Sequence, residues 1–135
     1  ETAEALYLKG IKASMDYYEI DADKANEYIS HLDGVKAFAG GSKEEQLEQI
    51  ITQKWIANYP LGMEAWAEYR RTGYPELYPC IDNLSDCGVS SIRGMRRLSF
   101  PYTEAQNNTA NYNQGVAELG GADNEATDLK WAKKN

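Results

Sequence analysis

Residues 42–59 read SKEEQLEQIITQKWIANY, and this stretch decides the fold class of the chain. Ser42 stands three residues before Glu45, the spacing at which a hydroxyl and a carboxylate cap each other's backbone N–H groups at a helix start. Behind that start, Leu47, Ile50, Ile51, Trp55 and Asn58 recur at helical spacing, while Glu44, Glu48 and Lys54 fall mostly on the other side. Pro60 disfavours helical geometry in the residue before it and has no backbone donor, so the helix must stop near Tyr59.

Towards the N-terminus, residues 2–19 predict a helix that is apolar on more than one face. Leu8, Ile11, Met15 and Tyr18 make one stripe, and Leu6, Gly10, Ala13 and Tyr17 a second with small residues in its middle. So wide an apolar arc belongs to a helix sandwiched between neighbours, and Gly10 with Ala13 would let one of them approach closely. Between the two helices, Asp21 or Asp23 can cap a shorter one that runs to about Leu32, ends at Asp33-Gly34, and is followed by the Gly40-Gly41 breaker.

Towards the C-terminus, a fourth helix is predicted from about Gly62 to Thr72, with Met63, Trp66 and Ala67 facing in and Gly73 and Pro75 closing it. Residues 73–107 lose helical periodicity and hold three of the four prolines and both cysteines. A structureless stretch of that length inside a compact domain is functional or laid over a partner surface. Helical character returns from about Thr109 to Leu119, and the polar tail is anchored by Leu129 and Trp131. No strand alternation is sustained. The expectation is a mostly α fold of single-domain length: helix pairs over residues 1–72, an irregular wrapping segment over 73–107, and a final helix and tail over 108–135.

Composition removes several classes of function. Fourteen basic and 21 acidic side chains leave a net charge of −7, which repels phosphate backbones and makes nucleic acid an improbable partner. No run approaches the roughly 18 apolar residues of a membrane span. The chain opens at Glu1, directly in a helical pattern and without a signal peptide, which reads as a piece of something longer.

Four ordered segments resemble the C-terminal region of the SusD/RagB family, nutrient-capturing outer-membrane lipoproteins of Bacteroidetes. They are EALYLKGIKASMDYY (4–18), LEQIITQKWIANYPLGMEAWAEYRRTGYP (47–75), MRRLSFPYTEAQNN (95–108) and NYNQGVAELGGAD (111–123). Two departures mark a divergent branch. The family's Trp-Trp-Asp type of ending is replaced by Leu129-Lys130-Trp131-Ala132-Lys133-Lys134-Asn135. Its Arg-Arg-Leu-Pro stretch reads Arg96-Arg97-Leu98-Ser99-Phe100-Pro101. The resemblance implies tetratricopeptide-like helix pairs, capture of an oligosaccharide (in some branches a peptide), and a partner SusC-like TonB-dependent transporter on which the protein sits as a hinged lid. It implies a cell-surface location in the outer membrane, with the lipid anchor on an N-terminal portion outside this chain. Neither Cys80 nor Cys87 is that anchor, because both lie far inside the sequence. Within this reading the chain itself acts mainly as scaffold and packs on the missing N-terminal portion.

Candidate ligand residues come from the residues themselves. Aromatic faces stack on sugar rings while their polar tips bond hydroxyls. Trp55 and Trp66 fall on apolar stripes and read as packing, whereas Tyr74, Tyr78 and Tyr102 lie in the irregular segment and are the candidates for exposure. Cys80 and Cys87 bracket a loop short enough for a disulfide that would contribute roughly 2–3 kcal/mol; two inert thiols are the alternative. Asp82, Asn83 and Asp86 lack the regular calcium-loop pattern, no second Cys pair or His lies at zinc spacing, and no cofactor is expected. Glu64 and Glu68 lie side by side on one helix face rather than across a substrate, and the sole histidine, His31, has no nucleophile beside it, so catalysis is not expected. Arg93, Arg96 and Arg97, with Arg70 and Arg71, are the only basic clusters, and pairing with Asp and Glu is their expected fate. The competing reading from another class is a helical-repeat protein–protein interaction module. A sugar binder should expose several rings on one face, an interaction module should expose a contiguous apolar patch, and an enzyme should set two carboxylates across a cleft.

Overall fold

The computed structural model describes residues 1–35, 38 and 41–129. Among the described residues six helices run in chain order: α1 (Ala3–Tyr17), α2 (Ala22–Val35), α3 (Lys43–Ala57), α4 (Gly62–Thr72), α5 (Tyr102–Asn107) and α6 (Thr109–Leu119). Among the described residues there is no β-strand, only an isolated antiparallel bridge between Ser90 and Gly94. The fold is mostly helical, as the periodicity predicts. No described helix is long and apolar enough to cross a membrane. The chain divides into two compact units, Glu1–Glu68 and Tyr69–Asn135.

In the first unit, α1 packs on both α2 and α3, the neighbour pattern of stacked helical pairs. The capping box at α3 forms in full: the Glu45 N–H donates to Ser42 Oγ at 3.2 Å, and the Ser42 N–H donates to Glu45 Oε2 at 2.6 Å. At α2, Asp21 Oδ1 accepts from the Asp23 N–H at 2.9 Å, which makes Asp21 the cap. The apolar core of this unit consists of Ile11, Ala25, Phe38 and Ile51. Phe38, from the α2–α3 connection, stacks on Tyr7 with ring centroids 4.8 Å apart, and its carbonyl accepts from Gln46 Nε2 at 3.1 Å. The Tyr18 hydroxyl at the end of α1 donates to the carbonyls of Ala57 and Tyr59 at the end of α3.

The two stripes of α1 are treated differently. Ile11 is buried, and Leu8 and Met15 are half-buried, so most of the first stripe is packed within the chain. Leu6, Gly10, Ala13 and Tyr17 of the second are all exposed, so α2 and α3 cover the first stripe of this helix and leave the second open. Trp55 and Met63, expected to face in, are exposed by 39% and 66%.

In the second unit, α4 ends at Gly73, whose φ of +82° suits a residue without a side chain, and Gly120 closes α6 in the same left-handed region at +71°. The irregular segment is shorter than expected, because α5 occupies residues 102–107. Six residues behind Pro101, with no buried side chain, leave no periodic signature to read. The anchor Trp131 and the divergent ending 130–135 lie outside the described residues, as does Gly40.

Candidate functional site

The candidate ligand rings sit on the second unit, on a backbone held by charge. Arg93 Nη2 donates to both oxygens of Asp128, at 3.0 and 2.8 Å, and Arg96 Nε reaches the same carboxylate at 2.7 Å. Arg97 Nη1 meets Asp123 Oδ1 at 2.5 Å, in a pair whose side chains are only 4% and 9% exposed. That oxygen also accepts from the Phe100 N–H at 3.0 Å. Glu125 accepts from Ser99 Oγ and, at 3.2 Å, from the Cys87 thiol, while its backbone carbonyl takes the Arg96 N–H at 2.8 Å. Arg70 and Arg96 bond each other's carbonyls reciprocally, at 3.1 and 2.8 Å, which ties the last turn of α4 to the same lattice. Residues 123–128 thus lace together the segment from Cys87 to Phe100. Arg97 also lies 4.7 Å from the Phe100 ring centroid, and that ring meets Tyr112 edge-on and lies against Gly115 of α6.

The carboxylates carry the electrostatic mark of this arrangement. Burial pushes Asp123 up, but hydrogen bonds from Arg97, the Phe100 N–H and Tyr112 outweigh it and hold the group below the ordinary aspartate value. Asp128 has the same balance, burial overcome by Arg93 and Arg96. Glu125 is lowered first by the Ser99 hydroxyl and then by Cys87. Burial, with the Arg96 charge beside it, lowers Arg70. All three carboxylates are therefore stabilised as acceptors in their ionised form, the behaviour of structural ion pairs. The expectation that the arginines pair with acids is met for Arg93, Arg96 and Arg97. Their particular partners, Asp123, Glu125 and Asp128, were not singled out from the sequence. The signal for them is the acid-rich run 123–128, which follows the RGMRR run with α5 and α6 between.

Onto this framework the structure places the three tyrosines separately. Tyr78 is 100% exposed and so touches neither of the others. Tyr102 opens α5 at 76% exposure, with its hydroxyl accepting from Gln106 Nε2 at 3.3 Å. Tyr74 is half-buried beside α4, and its N–H donates to Thr72 Oγ1 at 3.2 Å. Beside the arginine lattice opens a recess of about 620 Å³, bounded by Tyr69, Arg71, Leu77, Ile92, Arg93 and Asp128. Its mixture of charged groups and apolar surface suits a polar ligand with a carbon skeleton.

Cys80 and Cys87 are both free thiols, the first exposed and the second engaged by Glu125. Asn83 Nδ2 is turned onto the Val89 carbonyl and Ser91 Oγ, as a loop-organising side chain rather than an ion ligand. Among the described residues no group of three or more His, Cys, Asp or Glu could hold a metal ion. Glu68 bonds Lys54 Nζ at 2.6 Å, and His31 Nδ1 lies 2.8 Å from the Glu27 carbonyl.

Comparison with known proteins gives the same family as the motifs. The profile of the SusD-like family, described as SusD and RagB outer membrane lipoprotein, matches residues 33–132. A SusD homolog from Bacteroides uniformis superposes with a TM-score of 0.87 at 40% identity, over 99% of this chain and 32% of its own. A chitin-binding SusD homolog from Flavobacterium johnsoniae does so at 0.85 and 34% identity, over 100% of this chain and 32% of its own. A third, from Bacteroides ovatus, gives 0.85 and 34%, over 99% and 33%. The chain spans about a third of the length of these solved structures. No curated protein matches it. With three quarters of its length inside the family profile and its helices superposing on solved homologues throughout, the chain belongs to the SusD-like family of outer-membrane lipoproteins.

Proposed function

We propose that this chain is the C-terminal part of a non-catalytic glycan-capture protein at the outer face of the outer membrane, which hands an oligosaccharide to a SusC-like TonB-dependent transporter. Its own share of the work is chiefly scaffold. The helix pairs of 1–72 build the frame, and the final helix and tail 108–135 fasten the irregular segment 73–107. Membership of the SusD-like family carries this reading, and the chitin-binding homolog from Flavobacterium johnsoniae supports glycan as the ligand class.

Within the chain, Tyr78 and Tyr102 are the rings that offer faces to a sugar, with Tyr74 as a half-buried flank. Carbohydrate recognition needs apolar ring faces together with hydrogen-bonding groups held still beforehand, because each side chain ordered on binding reduces affinity. The ion-paired lattice supplies that rigidity in residues 87–100, which lie between Tyr78 and Tyr102 in the sequence. A chito-oligosaccharide series, followed by a panel of other glycans and of peptides, tests the reading by isothermal titration calorimetry on a chain verified as folded. Saturable heat with a glycan, reduced at least tenfold by Tyr78→Ala or Tyr102→Ala, is expected. Binding untouched by either substitution removes both rings from the site. Silence across the glycans with heat from a peptide overturns the ligand class.

A further inference from the structure

The recess beside the arginine lattice is positively charged in a protein that is not. Among the described residues its wall carries four guanidinium groups, Arg70, Arg71, Arg93 and Arg96, against two carboxylates, Glu76 and Asp128, all within the second unit. The whole chain, by contrast, has a net charge of −7. Asp128 is shared: Arg93 Nη2 and Arg96 Nε both hold it, so one negative charge answers two positive ones. Arg96 and Arg70 spend further donors on each other's carbonyls, which are dipoles and cancel no charge. Burial and then the Arg96 charge hold Arg70 below its ordinary value, the second cause being the mark of guanidiniums crowded without enough acid between them.

Arg93 is the donor that an anion would meet. Among the described residues its guanidinium bonds through Nη2 alone, so its Nε and Nη1 hydrogens are left for a guest, and its side chain is 56% exposed. Asp128 also holds it in place beforehand, so binding would order little that is not already ordered. Other parts of the wall are apolar. Leu77 and Ile92 are exposed, and the Tyr69 hydroxyl is committed to the Ile92 carbonyl at 3.1 Å, so Tyr69 offers the recess its ring. A guest that satisfies both kinds of surface has a negative group for Arg93 and a hydrocarbon face for Leu77, Ile92 and the Tyr69 ring. A pyranose that carries a carboxylate or a sulfate ester has both. The fully exposed Tyr78 follows Leu77 directly in the chain. A long polyanion such as a nucleic acid is disfavoured by the acidic remainder of the protein.

We propose that this recess is a subsite for one acidic sugar unit, with its negative group on Arg93 and its ring against Leu77 and Ile92. The inference rests on the glycan reading above and narrows it, from oligosaccharides in general to those that carry acid groups.

The full-length polypeptide that contains this sequence is titrated by calorimetry with an oligogalacturonate, a sulfated galacto-oligosaccharide and a neutral galacto-oligosaccharide of the same length. Saturable binding of an acidic sugar, at least about tenfold tighter than the neutral one and weakened by salt, is expected. Whichever acidic sugar binds more tightly tells carboxylate from sulfate. Substitutions then locate the site by the sign of a charge. The backbone bonds at Ile92 do not involve its exposed side chain, so Ile92→Asp should weaken acidic-sugar binding by about tenfold while Ile92→Lys preserves or tightens it. Arg93→Gln should weaken it as well, with Asp128 still held by Arg96. Equal affinity for acidic and neutral sugars, equal losses with Ile92→Asp and Ile92→Lys, or binding that ignores all three substitutions would overturn the subsite and leave the glycan reading standing. Silence with these three sugars while a chito-oligosaccharide binds has the same meaning. Silence with every sugar, whether or not an acidic peptide binds, overturns both.

Discussion

The two units are held together by opposite means. Every buried apolar side chain described, Ile11, Ala25, Phe38 and Ile51, belongs to Glu1–Glu68. Every buried polar one, Thr72, Arg96 and Arg97, belongs to Tyr69–Asn135. The first unit is a stack of helices whose backbone hydrogen bonds are satisfied internally, so side-chain burial, helped by the Tyr18 and Tyr28 hydroxyls, decides how the helices sit. The second is mostly irregular backbone, whose N–H and C=O groups need partners that no regular ladder supplies. Arginines and carboxylates fill that need: Arg70 and Arg96 take carbonyls, Asp123 takes an amide, and the remaining charges pair across the segment. Where secondary structure ends, charge takes over its bookkeeping.

The largest effect that would break this comparison is expected at Arg97. Its pair with Asp123 is nearly excluded from water, and removing one partner of such a pair leaves the other charge buried and unmatched, which costs about 3–5 kcal/mol. Arg97→Ala should therefore collapse hydrogen-exchange protection at the Arg96 and Phe100 amides while leaving the amides of α1 and α3 protected. A loss under about 1 kcal/mol, of the size of an exposed pair, would mean the lattice decorates the second unit rather than holding it.

Acid should reproduce a weaker form of the same loss. Asp123, Glu125 and Asp128 have folded-state pKa values below their ordinary ones, so the stability they contribute is fully present above the unfolded carboxylate range and disappears as pH falls through the folded values. The loss begins as pH falls into the ordinary carboxylate range and deepens below it. The buried residues of the first unit do not titrate. On acidification, protection in 87–100 and 123–128 should fall before protection in α1–α3, and simultaneous loss would show that the distinction between the units has no energetic content.

The same contrast explains what could be read in advance. The α3 capping box, the span of α4 from Gly62 to Thr72 and the close of α6 before Gly120 are decided by residues within a few positions of one another, and the sequence displays them directly. The two stripes of α1 are equally visible, but which of them finds a neighbour depends on helices far along the chain. Trp55, on an apolar stripe and yet 39% exposed, belongs with them. The arginine partners lie 26 to 35 positions away, beyond any local pattern. Helix α5 escaped because six residues, none of them buried, carry no period. The three candidate tyrosines show the limit of composition: an irregular segment suggests exposure, which holds for Tyr78 and Tyr102 and only in part for Tyr74.

The smallest effect sharpens the comparison most, because it touches the first unit alone. Ser42→Ala removes the hydroxyl that accepts the Glu45 N–H but leaves the Ser42 backbone N–H, so the Glu45 carboxylate can still make its half of the box. The expected cost is thus at the lower end of an N-cap loss, about 0.5–1 kcal/mol, and Ser42→Gly should cost only a few tenths. Both should appear as earlier fraying of the first turn of α3, read by amide exchange at Glu45 and Gln46, with the ion-paired segment unchanged. If so mild a change at Ser42 also loosened Arg96 or Phe100, the lattice would be drawing its stability from the helix stack, and the two units would be one cooperative body with two chemistries rather than two bodies each with its own.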